Sequence, residues 1–359
     1  MKADRKIHII HFQSSPGGIE VLMPALIESM KGYNFRIFVL RPPEKDKINV
    51  YSAFNENLTT YGATSNLVSF SKLFIYALKN HSDIFHLYNV GPFVLLLVRL
   101  AGINKIVYSI RGTKYCKRPW QALIIKLSWY LALNKRVRLI ANSIFSKSVF
   151  LKEISNRYPI KVLYNPVYRT NFNIYSRDSV HKELTIIYVG RLALGKNLFR
   201  WLDVAKAIYN NFQNVCFKLY GHGPLKNELI TYAEKLKINS VVQFMDFTSD
   251  INLAYYQADL MIFLSEYESF GNVVVESIIC GTPVIASSIP SMKEIFQNYP
   301  DFLVDLDDRL EENILKKVEN IDHIKNLVPE ATKEFKIRFS IQQHVEKLKG
   351  IYNSFNIIP

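Results

Sequence analysis

The stretch "SEYESFGNVVVESIICGTPVIASS" runs from Ser265 to Ser288 and follows the apolar run "ADLMIFLS", Ala258–Ser265. The apolar run has strand length and composition. "EYESFG" (Glu266–Gly271) reads as a loop, "NVVVESIIC" (Asn272–Cys280) as a helix, and "TPVIAS" (Thr282–Ser287) as the next strand. Two carboxylates, Glu268 and Glu276, stand eight positions apart within it. Eight positions on a helix turn through about 800°, roughly 80° from eclipsed. One helix would not present both on one face, so Glu268 belongs to the loop and Glu276 to the helix. Strand, loop, helix and strand in that order form a parallel β-α-β unit. It places a helix N-terminus, with free N–H groups and partial positive charge, at the carboxyl end of a strand.

The same alternation extends outward over the whole chain. Before it, strands are expected at Lys6–Phe12, Phe35–Leu40, Asp83–Asn89, Lys105–Gly112, Arg138–Ser143 and Ile160–Val167, with helices at Ile19–Met30 and Gly91–Gly102. A polar segment without periodicity, Tyr168–Glu183, reads as a linker. The alternation restarts with Leu184–Leu192, Val215–Pro224 and Val241–Phe247, and a last amphipathic helix is expected at His344–Phe355. The chain of 359 residues is long for one domain. The fold class is therefore α/β, with two doubly wound, Rossmann-like domains facing a central cleft lined by strand carboxyl ends. Expected boundaries are 1–172 for the first domain and 183–335 for the second. Residues 336–359 form a C-terminal helix returning toward the first.

Composition narrows the class. Hydrophobic residues make up 49% and charged residues 21%, as in a globular protein with a sizeable core. The three cysteines, Cys116, Cys216 and Cys280, lack metal-ligand or redox spacing, which suits a reducing cytoplasm. No apolar run approaches the ~20 residues of a membrane span, and the start "MKADRKIHIIHF" reads as a first strand rather than a signal peptide. The net charge of +14 is uneven. Residues 1–180 carry 26 Lys and Arg against 9 Asp and Glu, whereas 181–359 carry 19 against 22. From Ile84 to Lys152 there are 12 cations and no acid. The first half thus suits an anionic partner: a membrane surface, a phosphorylated lipid or a nucleic acid. A basic surface tuned for solubility is the alternative.

Within the opening stretch, the helix N-terminus is a ready phosphate site, and Gly271 allows close approach of a ligand to the backbone. A carboxylate beside a phosphate is repulsive, so Glu276 and Glu268 suit hydroxyls, of a ribose and of a sugar. Taken singly, each could instead be a dipole-stabilising or water-facing acid. A second motif, "YVGRLALGKN" (Tyr188–Asn197), places Arg191 and Lys196 in a loop after a strand. Planar bidentate and point-charge donors both suit a diphosphate; two solvated surface cations are the alternative.

Residues 184–296 resemble the nucleotide-sugar-binding domain of the retaining GT-B glycosyltransferases of family 4, the glycosyl transferases group 1. The matching pieces are "GRLALGKN", "GHGP", "DFTSD", "YYQADLMIFLS", "ESFGNVVVES", "GTPVIAS" and "SMKEI". "SSPGGIE", "DIFHLYN", "ANSIFSKSVF" and "VLYNPV" extend a looser resemblance over the first half. The resemblance implies that Arg191 and Lys196 hold the donor diphosphate, Glu276 the ribose and Glu268 the donor sugar, with Arg191, Lys196 and Glu268 the catalytic set. It implies phosphate binding by backbone N–H groups near Gly271 and Asn272. Phe270 and Val273 complete the donor site, with Gly18 from the first domain. Gly17, His86 and Arg111 are the acceptor-side candidates. Many relatives carry His where this chain has Arg111, which is always charged and a poor proton shuttle. Asn272 stands where an apolar residue is more usual.

The resemblance implies retention of anomeric configuration, no metal and no cofactor. The expected reaction moves a sugar from a UDP-sugar, or alternatively GDP-mannose, to a hydroxyl of a lipid-linked saccharide in surface polysaccharide assembly. The expected location is cytoplasmic, peripheral at the inner face of the membrane, with an anionic membrane surface and no nucleic acid as partner. A sugar-nucleotide epimerase and a non-catalytic sugar-nucleotide-binding scaffold are the alternatives.

Three further stretches carry expectations. "DLDD" (Asp305–Asp308) contains a metal-type Asp-x-Asp but precedes "RLEENILKKVENI", which reads as a helix capped by those acids. No phosphate-loop signature or nucleophile elbow is present. The stretch Arg111–Ile140 interleaves cations, tryptophans and aliphatics. It reads either as a helix on anionic lipid with Trp120 and Trp129 at the interface, or as a core-facing helix with a solvated basic face.

Overall fold

The computed structural model describes residues 5–12, 22–42, 59–113, 115, 119–167, 183–212, 214–246 and 251–356. They group into two compact units, Met1–Tyr168 with Phe339–Pro359, and Arg169–Arg338. Residues 168–182 of the expected linker and the loop bearing Gly17 and Gly18 lie outside the described residues.

The first unit contains β1 (Arg5–His11), α1 (Met23–Ser29), β2 (Tyr33–Val39), β3 (Thr59–Tyr61), α2 (Asn66–Lys79), β4 (Ile84–Tyr88) and α3 (Pro92–Leu100). It continues with β5 (Ile106–Ile110), α4 (Pro119–Ala132), β6 (Val137–Ala141), α5 (Ile144–Glu153) and β7 (Ile160–Val162). The strands pair in parallel in the order β3-β2-β1-β4-β5-β6-β7. β4 and β5 are buried along their whole length, the pattern of parallel strands covered on both faces.

The second unit contains β8 (Leu184–Val189), α6 (Leu198–Asn211), β9 (Val215–Tyr220), α7 (Lys226–Lys235), β10 (Val242–Met245), α8 (Ile251–Gln257) and β11 (Leu260–Phe263). It continues with α9 (Asn272–Ile279), β12 (Val284–Ser287), α10 (Pro290–Ile295), β13 (Leu303–Val304), α11 (Leu310–Glu319) and α12 (Ile321–Arg338). Its parallel order is β10-β9-β8-β11-β12-β13. The order reverses direction between β8 and β11, and ligands of open α/β sheets bind outside the strand carboxyl ends at such a point.

α13 (Ile341–Asn353) belongs to the first unit. Its Val345, Leu348 and Ile351 join the core under β1 and β2. Its Tyr352 hydroxyl lies 2.6 Å from His86 Nδ1, and its His344 Nδ1 lies 2.8 Å from the Tyr164 carbonyl.

Four described histidines of this unit, His8, His11, His86 and His344, are buried, and burial shifts at least three of them. Burial holds His86 well below its ordinary range, helped by the charge of Arg111, and lowers His344 to about 4. Burial also lowers His8, against the opposing pull of Asp83. As pH falls below the ordinary histidine range, near 6.5, the unfolded chain takes up protons that the folded unit refuses. Each group then removes stability with a slope approaching about 1.4 kcal/mol per pH unit until its own folded pKa is reached. The urea midpoint of the first unit should therefore fall between pH 7 and pH 5, before carboxylates titrate. An equal midpoint at both pH values would mean that these rings are not held neutral.

Two expectations are corrected. Trp129 is not at a surface: it is 2% exposed and packs edge-on against Tyr108, Tyr115 and Phe150 in the core. The side chain of Trp120 lies outside the described residues. Asp305–Asp308 do not cap α11, whose N-cap position is held by Arg309 with no side-chain cap; the acids of its first turn are Glu311 and Glu312. Asp307 instead accepts from the Arg309 N–H at 3.0 Å, closing a turn before the helix.

Candidate functional site

The site grows from the two loops at the β8–β11 switch point. β8 ends at Tyr188 and Val189, and the chain turns at Gly190. A Cβ on the neighbouring Gly221 would lie 1.9 Å from the Gly190 carbonyl oxygen, so this close approach of two strand ends requires glycine. Tyr188 is buried, and its hydroxyl donates to the Arg191 carbonyl at 3.1 Å. Burial, and then the Glu268 charge, push that phenol above its ordinary range, so it stays a donor. Arg191 is exposed and meets no carboxylate within ion-pair reach among the described residues.

Lys196 closes the same loop, directly before α6. Its ammonium forms an ion pair with Glu268, from the loop after β11, and lies 5.6 Å from the centre of the Phe263 ring. Both side chains are about one-fifth exposed, at 22% and 19%. The two loops are also tied through backbone, the Glu266 N–H donating to the Gly195 carbonyl at 3.0 Å. Behind them, the Trp201 indole N–H donates to the Ile262 carbonyl at 3.0 Å, fixing α6 to β11.

Gly271 is the N-cap of α9 at φ +94°, a left-handed conformation that glycine adopts without strain. A Cβ there would also meet Met292 Cε at 2.6 Å. Asn272 and Val273 in the first turn are half-buried, whereas Phe270 is buried. Glu276 is in the second turn and half-buried; its Oε2 accepts from the Tyr255 hydroxyl at 3.1 Å. Its Oε1 has no hydrogen bond among the described residues. Tyr255 is itself held by its carbonyl, which accepts from the Thr282 hydroxyl beyond the end of α9.

The structure therefore brings Lys196 and Glu268 into contact, sets Arg191 on the loop of Lys196, and sets Glu276 on the helix that the Glu268 loop feeds. Tyr188, Phe263 and Tyr255 were not singled out in the sequence. Tyr188 braces its own loop at Arg191, Phe263 meets Lys196 from the neighbouring strand, and Tyr255 reaches Glu276 from α8; no motif spacing marks these roles.

In the first unit, Arg111 follows β5, donates from Nη1 to Asn165 Oδ1 at 2.7 Å, and sits 5.4 Å from the Tyr88 ring centre. His86 is placed as a strut rather than an exposed ligand. It is fully buried, its Nε2 lies 2.8 Å from the Ser109 hydroxyl, its Nδ1 meets Tyr352, and its ring stacks on Tyr88. Among the described residues no group of three or more His, Cys, Asp or Glu side chains is arranged to hold a metal ion.

Residues 171–334 match the model of the family described as glycosyl transferases group 1. The O-antigen biosynthesis glycosyltransferase WclY of Escherichia coli is 23% identical over 97% of both chains. The N-acetylgalactosamine-N,N'-diacetylbacillosaminyl-diphospho-undecaprenol 4-alpha-N-acetylgalactosaminyltransferase of Campylobacter jejuni is 24% identical over 58% of each chain. Among solved structures, Anabaena Alr3699/HepE in complex with UDP and glucose superposes with a TM-score of 0.79 at 19% identity, covering 98% of this chain and 100% of that one. The paired loops at the β8–β11 switch point, the family match across them and the shared two-sheet architecture agree: residues 171–334 are similar to the glycosyl transferases group 1, in a chain with the GT-B fold.

Proposed function

We propose that the chain is a retaining, metal-independent glycosyltransferase. It would move a sugar from a UDP-sugar to a hydroxyl of a lipid-linked saccharide in surface polysaccharide biosynthesis. The observation that carries this reading is the meeting of Lys196 and Glu268 at the switch point, ahead of a glycine-headed helix. Arg191 and Lys196 bind the diphosphate, joined by backbone N–H groups near Gly271 and Asn272. Glu276 accepts from the ribose through its open oxygen, and Glu268 accepts from a hydroxyl of the donor sugar. The acceptor oxygen bonds to the anomeric carbon as the bond from that carbon to the diphosphate breaks. The acceptor proton passes to the departing phosphate oxygen, on the same face. Two fixed cations beside that oxygen stabilise the charge as it develops.

UDP is favoured because HepE, of the same fold, was solved with UDP. The lipid-linked acceptor is favoured because the Campylobacter relative is named for a diphospho-undecaprenol acceptor. Arg111, held by Asn165 and Tyr88 at a strand end, suits an anionic group of such an acceptor. The basic first unit would keep the enzyme peripheral at the inner face of the membrane.

Thermal unfolding with UDP, GDP, ADP and CMP, each added alone, tests the donor class. A nucleotide at 100 times its dissociation constant stabilises by about 2.7 kcal/mol. A shift with UDP alone is expected. A shift with GDP alone would replace the UDP-sugar by GDP-mannose, and no shift with any nucleotide would point to a scaffold.

A further inference from the structure

We infer that the outer face of α2, α3 and α4 is a lipid-docking surface, laid flat on an anionic bilayer. The inference rests on the proposed membrane-borne acceptor and names the part of the molecule that meets the membrane.

The argument starts with α4. Leu123, Ile124, Leu127, Tyr130 and Leu131 are all exposed, Leu123 at 76% and Tyr130 at 66%. Their spacing, with Leu127 four and Tyr130 seven positions after Leu123, draws one outward stripe. The opposite side carries Trp129 and Ala132 into the core. An all-round apolar helix is ordinarily buried or in contact with lipid; α4 is buried on one side only.

The neighbours extend the stripe into a face. α2 exposes Leu67, Ile75 and Leu78, and α3 exposes Phe93 and Leu100. Leu73 of α2, Val98 of α3 and Trp129 of α4 share one core cluster, so the three helices lie on the same side of the sheet. They touch one another: the Phe70 and Phe93 rings are 5.0 Å apart, and Arg99 Nη1 donates to the Leu131 carbonyl at 2.6 Å and the Ala132 carbonyl at 2.8 Å. An exposed apolar face drawn from three adjacent helices marks an interaction site.

Charge selects the occupant. The three helices contain no Asp or Glu, whereas Lys72, Lys79, Arg99 and Lys126 lie on them. A second copy of the chain would set these cations against each other, since a two-fold contact pairs a surface with itself. Lipid phosphates complement them, while the aliphatic stripe enters the acyl boundary. No helix among the described residues is long and apolar enough to cross a membrane, and α4, about 21 Å long, fits in the interface plane.

The test uses the full chain and vesicles of phosphatidylglycerol and phosphatidylethanolamine at 3:7. The double variant Leu127→Glu/Tyr130→Glu should lower the vesicle-bound partition at least tenfold, with the melting temperature and the UDP-induced shift unchanged. Ile337→Glu, at an exposed apolar position of the second unit, should leave the partition as it was. Leu127→Trp should add an emission component that moves to the blue when vesicles are added. Undiminished partition of the double variant overturns the inference. So does sedimentation showing a parent dimer that the double variant loses, or parent binding to an acidic protein but not to vesicles. Vesicle binding needs no donor, so its survival without a shift from any of the four nucleotides sinks the transferase reading alone.

Discussion

Lys196→Ala lowers kcat by about 10²–10³, the loss typical of removing one fixed donor from a developing negative charge, and leaves the fold intact. The ammonium lies 5.6 Å from the centre of the Phe263 ring on a fixed loop, so it is already in place when the diphosphate begins to depart. The loop that carries it is fixed by other contacts: the Glu266 N–H to the Gly195 carbonyl, and the Trp201 indole behind it. Glu276→Ala is expected to fall to a similar level for a different reason. It removes the acceptor proposed for the ribose and leaves the buried Tyr255 hydroxyl without that partner. Steady-state transfer from a UDP-sugar, with melting temperature as the control, decides the matter. Near-parental kcat in both variants would place the reaction elsewhere.

Glu268→Gln should move two quantities in opposite directions. With no donor bound, the Glu268 carboxylate neutralises Lys196, and an incoming diphosphate must displace it. A neutral amide does not compete in this way, so UDP should bind roughly tenfold more tightly, in line with about 1.5–3 kcal/mol for a hydrogen bond to a charged group. The amide is also a weaker acceptor for the sugar hydroxyl, so turnover should fall at least tenfold. Calorimetry with UDP and initial rates with the UDP-sugar read the two effects separately. A merely structural role for Glu268 would weaken both. Unchanged UDP affinity would show that the ion pair does not oppose donor entry.

The strand–loop–helix around Gly271 was legible because its signals are local. The assignment of Glu268 to a loop and Glu276 to a helix needed only helical geometry, and both stand so in the structure. The beginning of α9 at Asn272 follows from a glycine in a left-handed N-cap. α12 was less legible, because Pro329 lies inside it and proline ordinarily ends a helix. The placing of Trp129, at a lipid interface or in the core, was left open for a related reason. α4 is apolar on both sides, so no local pattern says which tryptophan faces inward.

The sequence alone determined the α/β alternation, the two doubly wound halves, the charge contrast between them and the order of the donor-site motifs. All depend on runs of a few residues, where backbone hydrogen-bonding period and side-chain chemistry act directly. Only the tertiary structure decided which strands are neighbours. Placing β11 beside β8 brings Lys196 to Glu268 across 72 positions, and docking α13 on β4 brings Tyr352 to His86 across 266. It also decided that His86 is buried and that the outer stripe of α4 is left uncovered. Burial and long-range pairing are properties of the packed layers, and a helix or strand does not encode in its own residues what will be laid against it.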